Sequence, residues 1–286
     1  MFAAAVICAA FAQLPPLTAK TADEYLTQLQ SEESDYFARL ETIAKAFVGV
    51  PFAKDPLGEG PEAPYDRDPL IDLSRVDGFS YVYQCLALAG SSTLDEATAA
   101  MNAIRYLGGE VDFLHRNHFF VEDWAVNNAF VTNITPELDF DTRGLMRFGQ
   151  KAEFYKETPM SVLFEGYRPV GVTIYYMSRH DMHRSMPKFP TNSLLAFIGR
   201  NSQYFAENCG LYFSDGDDTP GLVYYASPEQ GRVVAEPFAE VMEKSEAYVG
   251  VLVYSLHPER MSFVEPPAEQ PDGTAPTDEV NEAAAN

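Results

Sequence analysis

Basic residues are scarce in this chain. Across 286 residues, 20 Lys and Arg stand against 42 Asp and Glu, a formal net charge of −22. A surface of that sign repels phosphate, so the composition argues against nucleic acid as a partner and against adhesion to anionic lipid. Cysteine is equally sparse, with Cys8, Cys85 and Cys209 as the whole set, and no two of them have the spacing of a metal-binding pair. Both later thiols are expected as buried, inert core groups. Long apolar runs are missing too. The longest, at residues 1–12, is too short to span a bilayer, and direct membrane insertion of the mature chain is not expected.

That short run ends in Ala10-Phe11-Ala12, a small-residue pattern like an export cleavage site, although no Lys or Arg precedes Lys20. Residues 1–12 are therefore expected to be a signal peptide, with a buried N-terminal helix as the alternative. The mature protein is then exported, to the periplasm. At the other end, residues 266–286 contain Pro, Ala, Glu and Asp without a basic residue, the composition of a solvated acidic tail. One folded domain is expected over residues 21–258.

Apolar residues at helical spacing run through Tyr25, Leu29, Tyr36, Leu40, Ile43 and Phe47, with Ser34 or Asp35 as a start signal for a second helix. Residues 49–76 are rich in Gly, Pro and Asp and read as a long ordered loop. Asp77 to Ala89 reads as a buried helix. Another is expected over 94–107, begun by Ser92 or Thr93 with Glu96 as its capping-box partner. The second half turns to short β-type runs at 170–176, 194–198, 210–213, 222–226, 232–234 and 250–255. Helices followed by strands predict an α+β fold.

The order of several segments resembles the N-acetylmuramoyl-L-alanine amidase-like family, a branch of the NlpC-type papain-fold cell-wall cysteine hydrolases. The resemblance rests on Phe47-Val-Gly-Val-Pro-Phe52, Pro56-Leu-Gly-Glu-Gly60, Asp68-Pro-Leu70, Ile104-Arg-Tyr-Leu-Gly-Gly109, Arg116-Asn-His-Phe-Phe-Val-Glu-Asp-Trp124, Asn208-Cys-Gly-Leu-Tyr212 and Val249-Gly-Val-Leu-Val-Tyr254. It implies a papain-like fold, with N-terminal helices packed on an antiparallel sheet, and amidase or cysteine-peptidase chemistry. That chemistry uses a thiolate at a helix N-terminus, where free amides and the helix dipole lower its pKa, together with a histidine base. The resemblance places the nucleophile at Gly78, the base at Asn208 and a further histidine at Tyr225, so none of the three reactive side chains is expected here.

The resemblance therefore implies a catalytically degenerate homologue that binds a peptidoglycan fragment or an envelope protein. Phe79, Ser80, Arg116, His118, Asp123 and Trp124 are the expected ligand-binding residues, and no cofactor or metal is called for. Two alternatives are kept. One is an active hydrolase with a relocated nucleophile, Cys85 or Ser80; the other is a structural envelope protein with a closed cleft. His115-x-x-His118 followed by Glu122 and Asp123 is too loosely spaced for a metal site, and His180-x-x-His183 is no better. Glu59 either meets a ligand amine or holds its loop.

Overall fold

The computed structural model describes Leu14 and residues 16–148, 171–182, 186–200, 205–216 and 220–261. The expected signal segment 1–12, the tail 266–286 and His183 lie outside the described residues.

Four helices come first: α1 (Ala22–Glu32), α2 (Tyr36–Ala46), α3 (Gly78–Ala89) and α4 (Leu94–Arg105). Their starts follow from side-chain acceptors that satisfy amides left free in a first turn. Asp35 accepts from the Ala38 amide at 2.8 Å. Thr93 Oγ1 accepts from the Glu96 amide at 3.1 Å while Glu96 reaches back to the Ser92 amide at 2.7 Å. The capping-box expectation thus holds, with Thr93 as the cap. Helix α3 carries no charged residue, and every position except Phe79 is buried. A helix apolar on all sides belongs at the centre of a core.

Among the described residues, eight strands form one sheet: β1 (Val131–Asn133), β2 (Thr142–Phe148), β3 (Gly171–Ser178), β4 (Ser193–Gly199), β5 (Ala206–Phe213), β6 (Leu222–Ser227), β7 (Arg232–Pro237) and β8 (Tyr248–Leu256). Their order is β2-β3-β8-β4-β5-β6-β7, with β1 also paired to β8, and every pairing is antiparallel. All seven residues of β4 are buried. Strand alternation explains this: Leu194, Ala196 and Ile198 join the core shared with the four helices, while Leu195 and Phe197 join a second apolar cluster. That second cluster is covered by a helix the sequence pattern does not reveal, α5 (Phe238–Lys244), through Phe238, Val241 and Met242. The fold is α+β, with the N-terminal helices on an antiparallel sheet as expected and α5 packed on the opposite face.

The loop between α2 and α3 is long but not loose. Gly58 donates its amide to Pro69 O at 3.0 Å, Glu59 to Asp66 O at 3.0 Å and Gly60 to Asp68 O at 2.8 Å. Gly60 takes a φ of 92°, which a side chain would strain. The loop therefore folds back on itself as a tongue whose base is fixed.

Candidate functional site

The N-terminus of α3 is where the resemblance places the nucleophile. Asp77 caps the helix reciprocally: its Oδ1 accepts from the Ser80 amide at 2.7 Å, and Ser80 Oγ accepts from the Asp77 amide at 2.8 Å. Ser80 is thus engaged in the cap, and it is buried. Burial pushes the Asp77 carboxyl above the usual carboxylate range, against the pull of its bonds to Ser80. Gly78 is the first helical residue.

Asn208, on β5, fills the space beside Gly78. A Cβ built on Gly78 would land on Asn208 Oδ1 and lie 3.2 Å from the Cys209 amide nitrogen. The Asn208 carboxamide is held there on both sides. Its Nδ2 donates to Ala226 O and to the Tyr248 hydroxyl oxygen, each at 3.0 Å, and its Oδ1 accepts from the Cys209 amide at 2.8 Å. Only 4% of Asn208 is exposed. Tyr225, next to Ala226 on β6, is also buried and donates its hydroxyl to Glu236 Oε2 at 3.0 Å. Glu236 in turn accepts from Gln230 Nε2 at 2.8 Å and Lys244 Nζ at 2.6 Å. Gly78 and Asn208 thus meet as a closed, hydrogen-bonded plug, while the Tyr225 hydroxyl belongs to a separate set with Glu236, Gln230 and Lys244.

The thiols lie inside the protein. Cys85 and Cys209 are both fully buried and unbridged, and Cys209 Sγ donates to Gly78 O at 3.3 Å. Burial pushes both thiols well above their ordinary value, so neither forms a thiolate near neutral pH. Ser80 is a cap and Cys85 sits mid-helix, an arrangement that gives a relocated nucleophile nothing to activate it. We expect iodoacetamide to leave Cys85 and Cys209 unmodified in the native protein and to alkylate both in denaturant, read peptide by peptide by mass spectrometry. Rapid native labelling of Cys85 would overturn this.

Beside the tongue lies a second polar cluster. Arg116 donates Nε to Glu59 Oε1 at 2.5 Å and its terminal nitrogen to Asp66 Oδ2 at 2.8 Å. Arg105, buried at the end of α4, donates to the carbonyls of Gly58, Leu70 and Leu57 at 3.2, 3.3 and 3.2 Å. Tyr106 donates its hydroxyl to Gly58 O at 2.9 Å. Glu59 is 3% exposed along its side chain, and burial raises its carboxyl above the usual value despite the guanidinium beside it. The sequence pattern does not single out Arg105 or Asp66. The only signal is a charged residue closing a helix just before Gly108-Gly109.

The remaining expected ligand residues divide. His118 Nε2 lies 2.7 Å from Phe113 O, and its ring packs on Phe113 with centroids 4.5 Å apart. Asp123 Oδ2 accepts from the Phe119 amide at 3.2 Å, closing the turn that Phe120–Trp124 forms. Trp124 is fully buried, stacked on Tyr83 at 4.6 Å and on Phe120 at 5.0 Å. It is a core residue with no face for a ligand, a correction to the expected role. Phe79, half-buried, packs on Phe120 at 5.6 Å. His115 pairs not with His118 but with Asp112, Nδ1 to Oδ2 at 2.7 Å, with Glu110 3.5 Å from its Nε2. Those three side chains could reach one ion. Asp112 is already occupied, however, taking the Leu114 and His115 amides at 2.8 and 2.9 Å.

A family model described as N-acetylmuramoyl-L-alanine amidase-like matches residues 42–251. The chain belongs to that family. Solved structures agree at the level of fold. A Legionella pneumophila protein of the DUF1460 family is 17% identical, with a TM-score of 0.72 over 84% of this chain and 95% of its own. An N-acetylmuramoyl-L-alanine amidase from Bacteroides uniformis is 18% identical, with a TM-score of 0.58 over 78% of this chain and 99% of its own. No curated protein sequence matches the chain. Among the described residues of this amidase-like protein, no helix is long and apolar enough to cross a membrane.

Proposed function

We propose that this chain is a non-hydrolytic member of the amidase-like family. In this reading it has an NlpC-type papain-like scaffold, is exported to the periplasm, and binds a peptidoglycan-derived peptide or an envelope protein. The observation that carries the reading is the Asn208 carboxamide lying where a side chain at position 78 would have to be. Glycine offers no nucleophile there, and a carboxamide takes up no proton near neutral pH. Loss of nucleophile and base in comparable hydrolases costs on the order of a million-fold in turnover. Phe79, Arg116, His118 and Asp123 remain the candidate binding residues. Ser80 and Trp124 are no longer among them, because they are buried in the cap and the core.

The burial of Asn208 and Tyr225 favours a second reading, an envelope structural protein whose former cleft is filled by its own side chains. Incubating the purified protein with peptidoglycan and analysing the soluble fraction by mass spectrometry tests the first. We expect no new muropeptides, and their release would refute it. Titration with soluble muropeptides separates the two readings, since saturable binding is expected only of the first.

A further inference from the structure

Strand β8 ends by bringing a hydroxyl, an imidazole and a carboxylate together. Alternation along an extended chain sends Ser255 and His257 to one face, while Leu256 between them is buried in the core. His257 keeps the course of the strand because its amide donates to Phe130 O at 2.7 Å. Pro258 then opens a tight turn, Pro258–Arg260, held by the Arg260 amide donating to His257 O at 2.9 Å. The turn carries Glu259 back to the imidazole. Ser255 Oγ lies 3.0 Å from His257 Nε2, and Glu259 Oε1 lies 3.6 Å from His257 Nδ1. The same Glu259 oxygen is 3.6 Å from Arg260 Nε. Ser255 and His257 are half-buried, and Thr132, which faces Ser255 across the β1–β8 pairing, is exposed.

We propose that Ser255 is a nucleophile activated by His257, and that this site cleaves small esters. A hydroxyl within hydrogen-bond reach of an imidazole whose other nitrogen faces a carboxylate is the arrangement that makes a serine reactive. With its proton on Nδ1, towards Glu259, the ring presents a lone pair on Nε2, and Ser255 donates into it. Thr132 O, 3.4 Å from Ser255 Oγ, is the longer contact. In the reaction Ser255 Oγ bonds to the ester carbonyl carbon while His257 Nε2 takes the hydroxyl proton. The bond from that carbon to the alcohol oxygen breaks, His257 returns the proton to the departing oxygen, and the acyl group stays on Ser255. Water, giving a proton to His257, then attacks the acyl-serine; the carboxylic acid leaves and the serine oxygen recovers the proton. Thr132 is the register partner of Ser255, so its side chain shares that face and offers a hydroxyl donor to the oxyanion. An open face with one such donor suits an ester with a good leaving group rather than an amide. Glu259 touches no substrate and is a positioning residue for the ring. The site shares no residue with the Gly78–Asn208 plug and lies beyond the reading given above. Failure to acylate Ser255 leaves that reading intact, and release of muropeptides would refute that reading without bearing on the ester.

Brief exposure of the full chain to p-nitrophenyl acetate, followed by stopped-flow absorbance and by peptide mapping in the mass spectrometer, tests the site. We expect a burst of one nitrophenolate per chain and one acetyl group, on Ser255. Ser255→Ala should lose both. His257→Gln should acylate at least about tenfold more slowly, short of the roughly 10²–10⁴-fold typical of a general base because the face is open. Glu259→Gln should slow the burst severalfold and keep its amplitude at one per chain, which a loss of fold would not do. The acetyl map is read on the parent protein and His257 is half-exposed, so the test stands even where Ser255→Ala impairs folding. Acetyl groups found only on lysine and tyrosine side chains would overturn the proposal. So would a burst that survives Ser255→Ala, or equal rates of acylation in the parent and in His257→Gln.

Discussion

Gly78→Ala is expected to destabilise the protein by about 3 kcal/mol, at a position where a helix would ordinarily gain from alanine. The new methyl would land on Asn208 Oδ1. The carboxamide cannot swing aside freely, because it is tied to Cys209 N, Ala226 O and the Tyr248 hydroxyl. Moving it leaves buried polar groups without partners, each at roughly 1–3 kcal/mol. Asn208→Ala strips the same partners and opens a hole, at a cost of about 2–3 kcal/mol. In the double variant the methyl at 78 no longer meets an obstacle and fills part of the hole. Its loss should fall short of the sum of the single losses by at least about 1.5 kcal/mol. Urea unfolding of the four proteins measures this. Additivity within about 0.5 kcal/mol would mean that the two residues do not share one space.

A glycine at the start of α3 and an amide on β5 are each ordinary in sequence. Together they form a plug in which one residue vacates the volume that the other occupies. Any larger side chain placed at 78 would meet the same obstruction as in Gly78→Ala, so it requires change at 208 as well.

Much of the helical half is legible in the sequence because its signals are local. Asp35, Asp77 and Thr93 cap helices within three residues of themselves. The apolar run of α3 announces its own burial. The strands β4 to β8 are legible from β-branched and aromatic runs, though their ends extend two to four residues further in β5, β7 and β8 than the patterns indicate. What escapes is non-local. Strands β1 and β2 and helix α5 are amphipathic only with respect to a sheet whose pairing the sequence does not display. Arg105 reads as an ordinary helix-ending charge, and only the folded tongue converts it into a buried donor to three carbonyls. That 78 and 208 belong together is legible through the family resemblance alone; that Asn208 occupies the space beside Gly78 is not legible at all. Trp124 reads as a site residue because it ends the segment from Arg116 that carries the family resemblance, whereas its ring is stacked on Tyr83 and Phe120 in the core.

Arg116→Met is expected to cost about 3–5 kcal/mol, a large effect for a residue that remains partly exposed, because it strands the buried Glu59 carboxylate. Glu59→Gln in the same chain should recover most of that loss, since a neutral amide needs no counter-charge. The pH dependence gives an independent check. Burial raises the Glu59 pKa above its ordinary value of 4.5, so the folded chain holds this proton more tightly than the unfolded one. Stability contributed by the protonated acid is complete below 4.5 and is lost as pH rises through the higher folded value. Relative to Glu59→Gln, the parent protein should therefore weaken as pH climbs from that point towards neutrality. Arg116 opposes the rise, so Arg116→Met should carry the loss to still higher pH. Chemical denaturation of the parent, Glu59→Gln, Arg116→Met and the double variant between pH 4 and pH 8 separates these curves. If the Arg116→Met deficit were the same in the parent and in the Glu59→Gln background, and flat across that range, the charge argument would fail. Arg116 would then act through packing on Phe113, whose ring lies 5.4 Å below its guanidinium.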